Sequence, residues 1–356
     1  MFTNHSPITI QHPAKILIIR LSSIGDIILT TPLPRQLRAN FPNAQIDFLI
    51  RREYAELLRG NPHLSNLLEI DLREKNALSA MKYAIRRTDY DAILDLHGNF
   101  RSIWLTRFRG RPPVFSIRKN KFLRHLLVNY KINLYPKFYP KPLSVAEKYL
   151  RTAAPLGVDL RDTRPELFLP VEIQHRAKKQ WQRLSEQGVA AIIAPGARHF
   201  TKRWPPEYFA AIIRKMNEHF GWKTVLIGGP EEAETCAEIQ QQTDAALAKN
   251  LAGRLSLAET LGLIKHARLF ISNDSGLMHA AAAFQVPQVA IFGSTTRELG
   301  FFPLNPRAVV VENRGLSCRP CSHIGRAVCP KKHFKCMRDV TPEAVWKVIN
   351  SLKLQK

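Results

Sequence analysis

The stretch Lys15-Ile-Leu-Ile-Ile-Arg-Leu21, followed directly by Ser22-Ser-Ile-Gly-Asp26, decides the fold of this 356-residue chain. A short and mostly apolar run of this kind is typical of a strand buried on both faces of a parallel sheet. The glycine-containing turn leads into a helical pattern that reaches about residue 40. A strand, a turn and a helix in this order form the first part of a βαβ unit.

The same alternation of strands and helices continues and then restarts after a polar, proline-containing stretch near residues 158–171. It predicts an α/β protein with two doubly wound domains. The further predicted strands lie at 45–50, 91–96, 189–194, 223–227, 268–272 and 287–292. The further predicted helices lie at 76–88, 144–155, 205–220, 231–242, 257–266, 275–284 and 342–352.

The charge of the chain is strongly positive and unevenly distributed. Lysine and arginine number 53 against 29 acidic residues, a net charge of +24. Residues 101–150 carry a net +11 and residues 301–356 a net +8, whereas residues 201–300 are neutral. Such blocks predict an anionic partner, which could be a nucleic acid, a membrane surface or a phosphorylated substrate. A generally basic composition is the alternative explanation.

Composition and absent motifs exclude several classes of protein. A hydrophobic content of 45% argues against a disordered basic tail. No apolar stretch approaches the ~18 residues of a membrane span, and the start of the chain lacks a secretory segment. There is no G-x-G-x-x-G after the first strand and no G-x-x-x-x-G-K-[ST], which argues against dinucleotide and P-loop enzymes. We therefore expect a soluble, cytoplasmic protein.

The first candidate site is the turn that ends the first strand. Asp26 lies where a helix begins, and a helix dipole stabilises an anionic carboxylate at that position. Such a carboxylate can accept a proton from an incoming hydroxyl group. Aspartate is also a favoured N-cap residue, so the spacing alone leaves a general base and a helix cap as equal alternatives.

Two further strand-to-helix turns carry groups that suit a phosphate. Residues 194–205 combine Pro195 and Gly196 with Lys202, so that backbone N–H groups and a cation converge. Residues 273–279, Asn-Asp-Ser-Gly-Leu-Met-His, offer the free N–H groups of a first helical turn. The alternatives are a solvated basic loop in the first case, and a capping Asp274 with a buried His279 in the second.

Four of the five cysteines fall within nineteen residues near the end of the chain, at Cys318, Cys321, Cys329 and Cys336. Four thiols that begin with a C-x-x-C pair suit a tetrahedral structural zinc site. The later intervals of seven and six residues are shorter than those of common zinc ribbons, so free thiols in a loop are the alternative.

Taken together, these motifs resemble family-9 glycosyltransferases, the lipopolysaccharide heptosyltransferases. The motifs are KILIIRLSSIGD at 15–26, APGA at 194–197 with TKRWP at 201–205, LIGGPEE at 226–232, NLAG at 250–253 and NDSGLMH at 273–279. Their order and spacing match the family over almost the whole chain. The resemblance implies a GT-B fold, in which two Rossmann-like domains face a central cleft.

The resemblance also implies a domain plan. We expect an acceptor-binding domain over residues 1–160 and a linker over 161–174. A nucleotide-sugar-binding domain should follow over 175–338, with the cysteine-rich segment 318–336 inside it. The final helix, within 339–356, should cross back to the first domain.

The activity implied is the transfer of a heptose from ADP-heptose to the inner core of lipopolysaccharide, with inversion of the anomeric centre. Asp26 matches the general base and Lys202 the lysine that binds the donor phosphates. No cofactor is then required for catalysis, and zinc would be structural. The remaining donor-binding matches are Pro195, Gly196, Glu231, Asp274, Ser275, Gly276 and His279. The expected acceptor-binding residues are Ser23, Arg118, Lys119, Lys121 and Arg124.

The expected partners are ADP-heptose as donor and a phosphorylated lipopolysaccharide core or lipid A as acceptor. We also expect the protein to be peripheral to the inner face of the inner membrane, where it would contact the lipids of the inner leaflet. One alternative keeps the fold but uses another nucleotide-sugar to build a surface polysaccharide. The other is a basic nucleic-acid-binding protein, although no nucleic-acid motif accompanies the charge.

Overall fold

The computed structural model of the chain describes residue 10, residues 12–158, residues 160–352 and residue 354. The expectation that no secretory segment begins the chain falls mainly on residues 1–9, which lie outside the described residues. Contacts divide the chain into two compact units. The first unit comprises residues up to 119 together with 145–168, and the second comprises 120–144 together with the residues from 169 onward.

The strands and helices are numbered in chain order. The strands are β1 Lys15–Ile19, β2 Gln45–Arg51, β3 Asn66–Ile70, β4 Ala92–Asp95, β5 Val114–Ser116, β6 Val189–Ala194, β7 Lys223–Leu226, β8 Ala248–Asn250, β9 Leu269–Asn273, β10 Gln288–Phe292 and β11 Ala308–Glu312. The α-helices are α1 Ile24–Ile28, α2 Pro32–Asn40, α3 Ala77–Arg87, α4 Phe100–Thr106, α5 Lys121–His125, α6 Tyr135–Phe138, α7 Val145–Leu150, α8 Val171–Glu186, α9 Pro206–Phe220, α10 Ala233–Gln241, α11 Leu257–Ile264, α12 Gly276–Ala283, α13 Lys335–Arg338 and α14 Pro342–Ser351. Short 3-10 segments cover Arg52–Leu57, Arg151–Leu156, Phe200–Lys202, Pro230–Glu232 and Arg297–Leu299, and a π-turn covers Leu126–Tyr130.

The first unit is built on a five-stranded parallel sheet in the order β3-β2-β1-β4-β5. β1 lies at its centre and pairs Ile16 with both Ile46 of β2 and Ala92 of β4. Its apolar side chains are fully buried because a central parallel strand is covered on both faces. The strand order reverses between β1 and β4, so the turns after these two strands share the carboxyl edge where such sheets bind ligands.

The second unit contains a six-stranded parallel sheet in the order β11-β10-β9-β6-β7-β8. Its order reverses between β6 and β9, which brings the turns after residues 194 and 273 to one edge. The apolar face of α9, with Phe209, Ile212 and Met216 fully buried, packs into the core of this unit. The predicted α/β fold with two Rossmann-like domains is therefore confirmed.

The segment between residues 120 and 144 belongs to the second unit, whereas the sequence placed it in a first domain ending at 160. Its apolar side chains explain the difference. Leu123, Leu127 and Tyr135 are buried in one cluster with Leu299 of the second unit. The segment is therefore held by the second unit.

The expected linker over 161–174 has no regular secondary structure up to residue 170, but side-chain contacts hold it. Arg35 of α2 binds Glu166 at 2.7 Å, and Glu166 N donates to Thr31 Oγ1 at 2.9 Å, so this part of the chain is fixed to the first unit. α8 already begins at Val171.

The C-terminal helix α14 is part of the second unit, and its expected crossing to the first domain stays a prediction. It contacts α9, β10 and β11 of the second unit. Val345 and Ile349 are fully buried in the core of that unit, and this burial accounts for the position of the helix.

Candidate functional site

Asp26 is held by three donors at the carboxyl edge of the first sheet. Its Oδ2 lies 2.8 Å from Arg20 Nη2 and accepts a hydrogen bond from Ser23 Oγ at 3.1 Å. Its Oδ1 accepts a hydrogen bond from Tyr149 OH at 3.0 Å. Ser23, and not Asp26, occupies the N-cap position of α1. The Asp26 side chain is 21% exposed, so the carboxylate is fixed on one side and accessible on the other.

Arg20 fixes this carboxylate to both turns at the strand-order reversal. Its Nε donates to Ser22 O and its Nη1 donates to Leu96 O, each at 2.7 Å. The remaining Nη2 faces Asp26. Because a guanidinium presents its donors in a rigid fork, these three contacts set the direction of the Asp26 side chain.

Two neighbouring groups are uncharged at neutral pH. Burial raises the pKa of Tyr149 well above its ordinary value, and the Asp26 carboxylate raises it further, so the hydroxyl remains a donor. Burial, with the positive charges of Arg20 and Lys119, lowers the pKa of His97 to about 4. In the described part of the chain, the buried Nδ1 of His97 has no hydrogen-bond partner.

Lys202 and Asp274 form an ion pair at the carboxyl edge of the second sheet. Lys202 Nζ lies 2.7 Å from Asp274 Oδ2, and only 15% and 5% of the two side chains are exposed. Thr295 Oγ1 donates to the same oxygen at 2.6 Å. Ser275 is the N-cap of α12, so the carboxylate of Asp274 binds Lys202 and Thr295 instead of capping the helix.

Asn273 joins the two predicted phosphate loops. Its Nδ2 donates to Pro195 O at 2.6 Å, and its Oδ1 accepts from Trp204 N at 3.1 Å. The structure therefore brings Pro195, Lys202 and Asp274 together, as their sequence positions after β6 and β9 predicted.

Gly196 is in close contact with Glu232. A Cβ at position 196 would lie 2.2 Å from Glu232 Cγ, so no other residue fits without displacing that side chain. Glu232 Oε2 accepts from Gly229 N at 2.6 Å, and burial raises the pKa of this carboxyl. Glu231, the predicted ribose ligand, is exposed. Glu232 is thus the glutamate that lies against the turn at Gly196.

The remaining predicted donor residues belong to α12. Gly276 is the first residue of the helix, and the buried Oγ of Ser275 has no hydrogen-bond partner within the described residues. His279 lies in the same helix and is 2% exposed. The first turn of α12 therefore offers backbone N–H groups and one hydroxyl next to the Lys202–Asp274 pair.

The predicted acceptor residues are divided between the two units. In the first unit Ser23 contacts Asp26, Lys119 Nζ donates to His97 O at 2.6 Å, and Arg118 is exposed. Lys121 and Arg124 belong to α5 of the second unit. No helix among the described residues has the length and apolar character needed to cross a membrane.

The four cysteines of the cysteine-rich segment are free thiols in this structure, and the zinc site stays a prediction. Within the described residues, no group of three or more His, Cys, Asp or Glu side chains is placed to hold a metal ion. Cys318 Sγ lies 3.9 Å from His333 Nε2. Cys336 is buried, and burial raises the pKa of its thiol to about 12.

The sequence did not identify four residues that complete these sites. Arg20 interrupts the apolar run of residues 16–21, and that signal could have found it because a buried charge needs partners. Glu232 lies three residues after Gly229, at a capping-box spacing. Tyr149 and Thr295 carried no signal, because they reach their aspartates from 123 and 21 residues away along the chain.

Comparisons with known proteins agree on one family. A family profile described as glycosyltransferase family 9 (heptosyltransferase) matches residues 78–332. Lipopolysaccharide heptosyltransferase 3 of Escherichia coli is 29% identical over 285 residues, which cover 76% of this chain and 81% of that protein. Lipopolysaccharide heptosyltransferase 2 of Escherichia coli K12 is 27% identical, covering 96% of this chain and 99% of that protein.

Among solved structures, that of E. coli ADP-heptose lipopolysaccharide heptosyltransferase II superposes with a TM-score of 0.74. The sequences are 26% identical, and the match covers 95% of this chain and 98% of the other.

Proposed function

The chain belongs to glycosyltransferase family 9, the heptosyltransferases, and we propose that it transfers a heptose from ADP-heptose to the inner core of lipopolysaccharide with inversion. The names of its relatives support this donor and this acceptor. The structural observation that carries the proposal is Asp26, a partly exposed carboxylate fixed by Arg20, Ser23 and Tyr149 at the strand-order reversal.

Asp26 is the general base of the proposed reaction. Its carboxylate accepts the proton of an acceptor hydroxyl while that oxygen forms a bond to the anomeric carbon of the heptose, on the face opposite the departing ADP. Arg20 and Tyr149 orient the base through an ion pair and a hydrogen bond. A correctly positioned general base contributes roughly 10²–10⁴-fold to the rate.

Lys202 and the first turn of α12 stabilise the departing diphosphate. When the donor binds, the phosphate oxygens share the Lys202 ammonium with Asp274, and the N–H groups after Ser275 face the same charge. Negative charge grows on the diphosphate as the glycosidic bond breaks, so these donors act most strongly in the transition state. One such donor is worth roughly 3 kcal/mol, or ~10²-fold in rate.

The remaining donor contacts surround this charge. Pro195, Gly196, Gly276 and His279 shape the pocket for the diphosphate. A glutamate at the turn after β7 accepts hydrogen bonds from the ribose hydroxyls. Glu232 is a second candidate for this role beside Glu231, because its side chain lies against Gly196.

Zinc has no step in this mechanism. Metal analysis of tag-free protein tests the cysteine site, for which four thiolates would give about one zinc per chain.

Residues 118–141 are proposed to meet the phosphorylated acceptor and the inner leaflet of the inner membrane. The segment from 120 to 144 has no acidic residue. Phe122, Tyr130 and Phe138 are each more than 60% exposed among its cations. Aromatic and basic side chains together suit the interface of an anionic bilayer, where each Lys or Arg contributes ~1 kcal/mol.

The proposal is tested by thermal unfolding with nucleotides and by a transfer assay with ADP-heptose and a heptose-deficient lipopolysaccharide. We expect ADP to raise the unfolding temperature, UDP to leave it unchanged, and the product to carry the inverted anomer. Stabilisation by UDP and not by ADP would refute the heptose donor and favour another nucleotide-sugar. Salt-sensitive binding to generic nucleic acid without sugar transfer would favour the non-enzymatic alternative.

A further inference from the structure

Arg319, between two of the clustered cysteines, reaches the loop that carries Thr295. Its guanidinium is only 4% exposed and pairs with Glu312 at 2.7 Å. Its Nε donates to Gly293 O at 2.5 Å and its Nη2 donates to Thr295 O at 2.7 Å, while its Nη1 donates to Asn313 O. One buried side chain thus ties residues 312–313 to both ends of the loop 293–295.

We name residues 312–326 the brace segment. Besides the Arg319 side chain, the backbone of this segment also contacts loop 293–295. Cys321 N donates to Ser294 O at 3.2 Å. Arg326 N donates to Thr201 Oγ1 at 2.8 Å, and Thr201 N donates to Arg326 O at 3.1 Å. Thr201 Oγ1 in turn donates to Ser294 Oγ at 3.0 Å. The brace segment therefore contacts both loops of the donor site.

These two loops carry the charged pair of that site. Thr295 Oγ1 donates to Asp274 Oδ2, and Lys202 directly follows Thr201 in the sequence. The distance from Lys202 Nζ to Asp274 Oδ2 therefore depends on where loop 293–295 and residue 201 are held. Arg319 is connected to this pair through loop 293–295, because its guanidinium donates to Gly293 O and Thr295 O.

We propose that Arg319 is a positioning residue for donor binding, which fixes loop 293–295 so that Thr295 sets the Lys202–Asp274 pair for the diphosphate. The inference rests on the proposed function and gives the cysteine-rich region a role in it. Lysine cannot replace the guanidinium, because it is a single donor centre and cannot reach Gly293 O, Thr295 O and Glu312 at once.

The test compares Arg319→Lys and Thr295→Val with the wild type, using the affinity for ADP and the steady-state constants for each substrate. We expect both variants to weaken ADP binding about ten-fold and to raise the donor KM, since each removes a hydrogen bond to a charged or buried group. The acceptor KM should not change. Thr295→Ser restores the hydroxyl and should recover the affinity for ADP.

A double-mutant cycle separates a shared path from two independent effects. If Arg319 acts through Thr295, the loss in ADP affinity for the double variant is smaller than the product of the two single losses. Arg35→Lys is the matched control, because Arg35 binds Glu166 and a backbone carbonyl far from these loops in sequence. This control should lower stability without changing ADP affinity.

Three results would overturn the inference. One is an unchanged ADP affinity in folded Arg319→Lys, and another is multiplicative losses in the double variant. The third applies if Arg319→Lys does not fold: an unchanged ADP affinity in Thr295→Val then refutes the proposed role of the loop in donor binding. Failure of the wild type to bind ADP would instead refute the proposed function.

Discussion

Replacing Asp26 with asparagine keeps the size of the side chain and removes its charge. Asparagine has one acceptor oxygen, whereas the Asp26 carboxylate accepts from Arg20, Ser23 and Tyr149 through two. The amide therefore cannot serve all three donors, and its NH₂ group meets one of them. Arg20 keeps its two backbone carbonyls but loses its counter-charge.

Both stability and turnover should fall, by different amounts. Removing one partner of a fully buried ion pair costs ~3–5 kcal/mol. Because Asp26 is 21% exposed and Arg20 retains two hydrogen bonds, we expect about 1–3 kcal/mol here. Loss of the general base should lower kcat by roughly 10²–10⁴-fold. Affinity for ADP should stay within about two-fold, since Lys202 and α12 remain intact.

The assay measures heptose transfer at saturating donor, with ADP affinity by calorimetry and stability by urea unfolding. Asp47→Asn is the matched control. Asp47 is 2% exposed and accepts from Tyr90 OH at 2.6 Å, an arrangement like that of Asp26 with Tyr149. The control should lose stability and keep its turnover per folded molecule. Unchanged kcat in Asp26→Asn, or an equal loss of kcat in Asp47→Asn, would refute Asp26 as the base.

Three further predictions concern other groups. Lys202→Ala should weaken ADP binding and lower kcat by ~10²-fold, measured by calorimetry and the transfer assay; unchanged affinity would contradict the phosphate assignment. Reversing charge with Lys121→Glu and Arg124→Glu should weaken binding to anionic vesicles by ~1 kcal/mol per charge and leave the affinity for ADP unchanged. An equal loss of vesicle binding and ADP binding would show that these residues support folding instead. The pKa of His97 is lowered from 6.5 to about 4, so the unfolded chain binds its proton first and stability should fall as the pH drops through that interval. His97→Gln should flatten this part of the pH–stability curve by up to ~3 kcal/mol, and an unaltered slope would count against the burial of the imidazole.

The central strands of both sheets could be predicted from the sequence because their side chains are buried on both faces. β6 is apolar throughout, and β1, β9 and β10 each contain an apolar run of three or four residues. The four edge strands β3, β5, β8 and β11 were missed, because they are only partly buried or no more than three residues long. α8 was read partly as linker because it buries little more than Ala177 and Leu184.

The residues of the candidate site also fall into those that the sequence could predict and those that it could not. Asp26, Lys202 and Asp274 lie in the strand-to-helix connections after β1, β6 and β9. Parallel sheets bring such connections to one edge of the sheet, so the places of these residues could be predicted. The side chains that donate hydrogen bonds to these aspartates could not be predicted. Tyr149 lies in α7 and Thr295 after β10, and only tertiary packing brings their hydroxyls to the carboxylates.

The position of residues 120–144 determines where this chain could be recombined with a relative. A single junction at 160 or 168 would join Leu123, Leu127 and Tyr135 from one parent to Leu299 from the other. Their shared cluster would then be assembled from sequences never selected together. A chimera that exchanges the second unit should therefore use three junctions, near 119, 144 and 168, so that segment 120–144 stays with the rest of that unit.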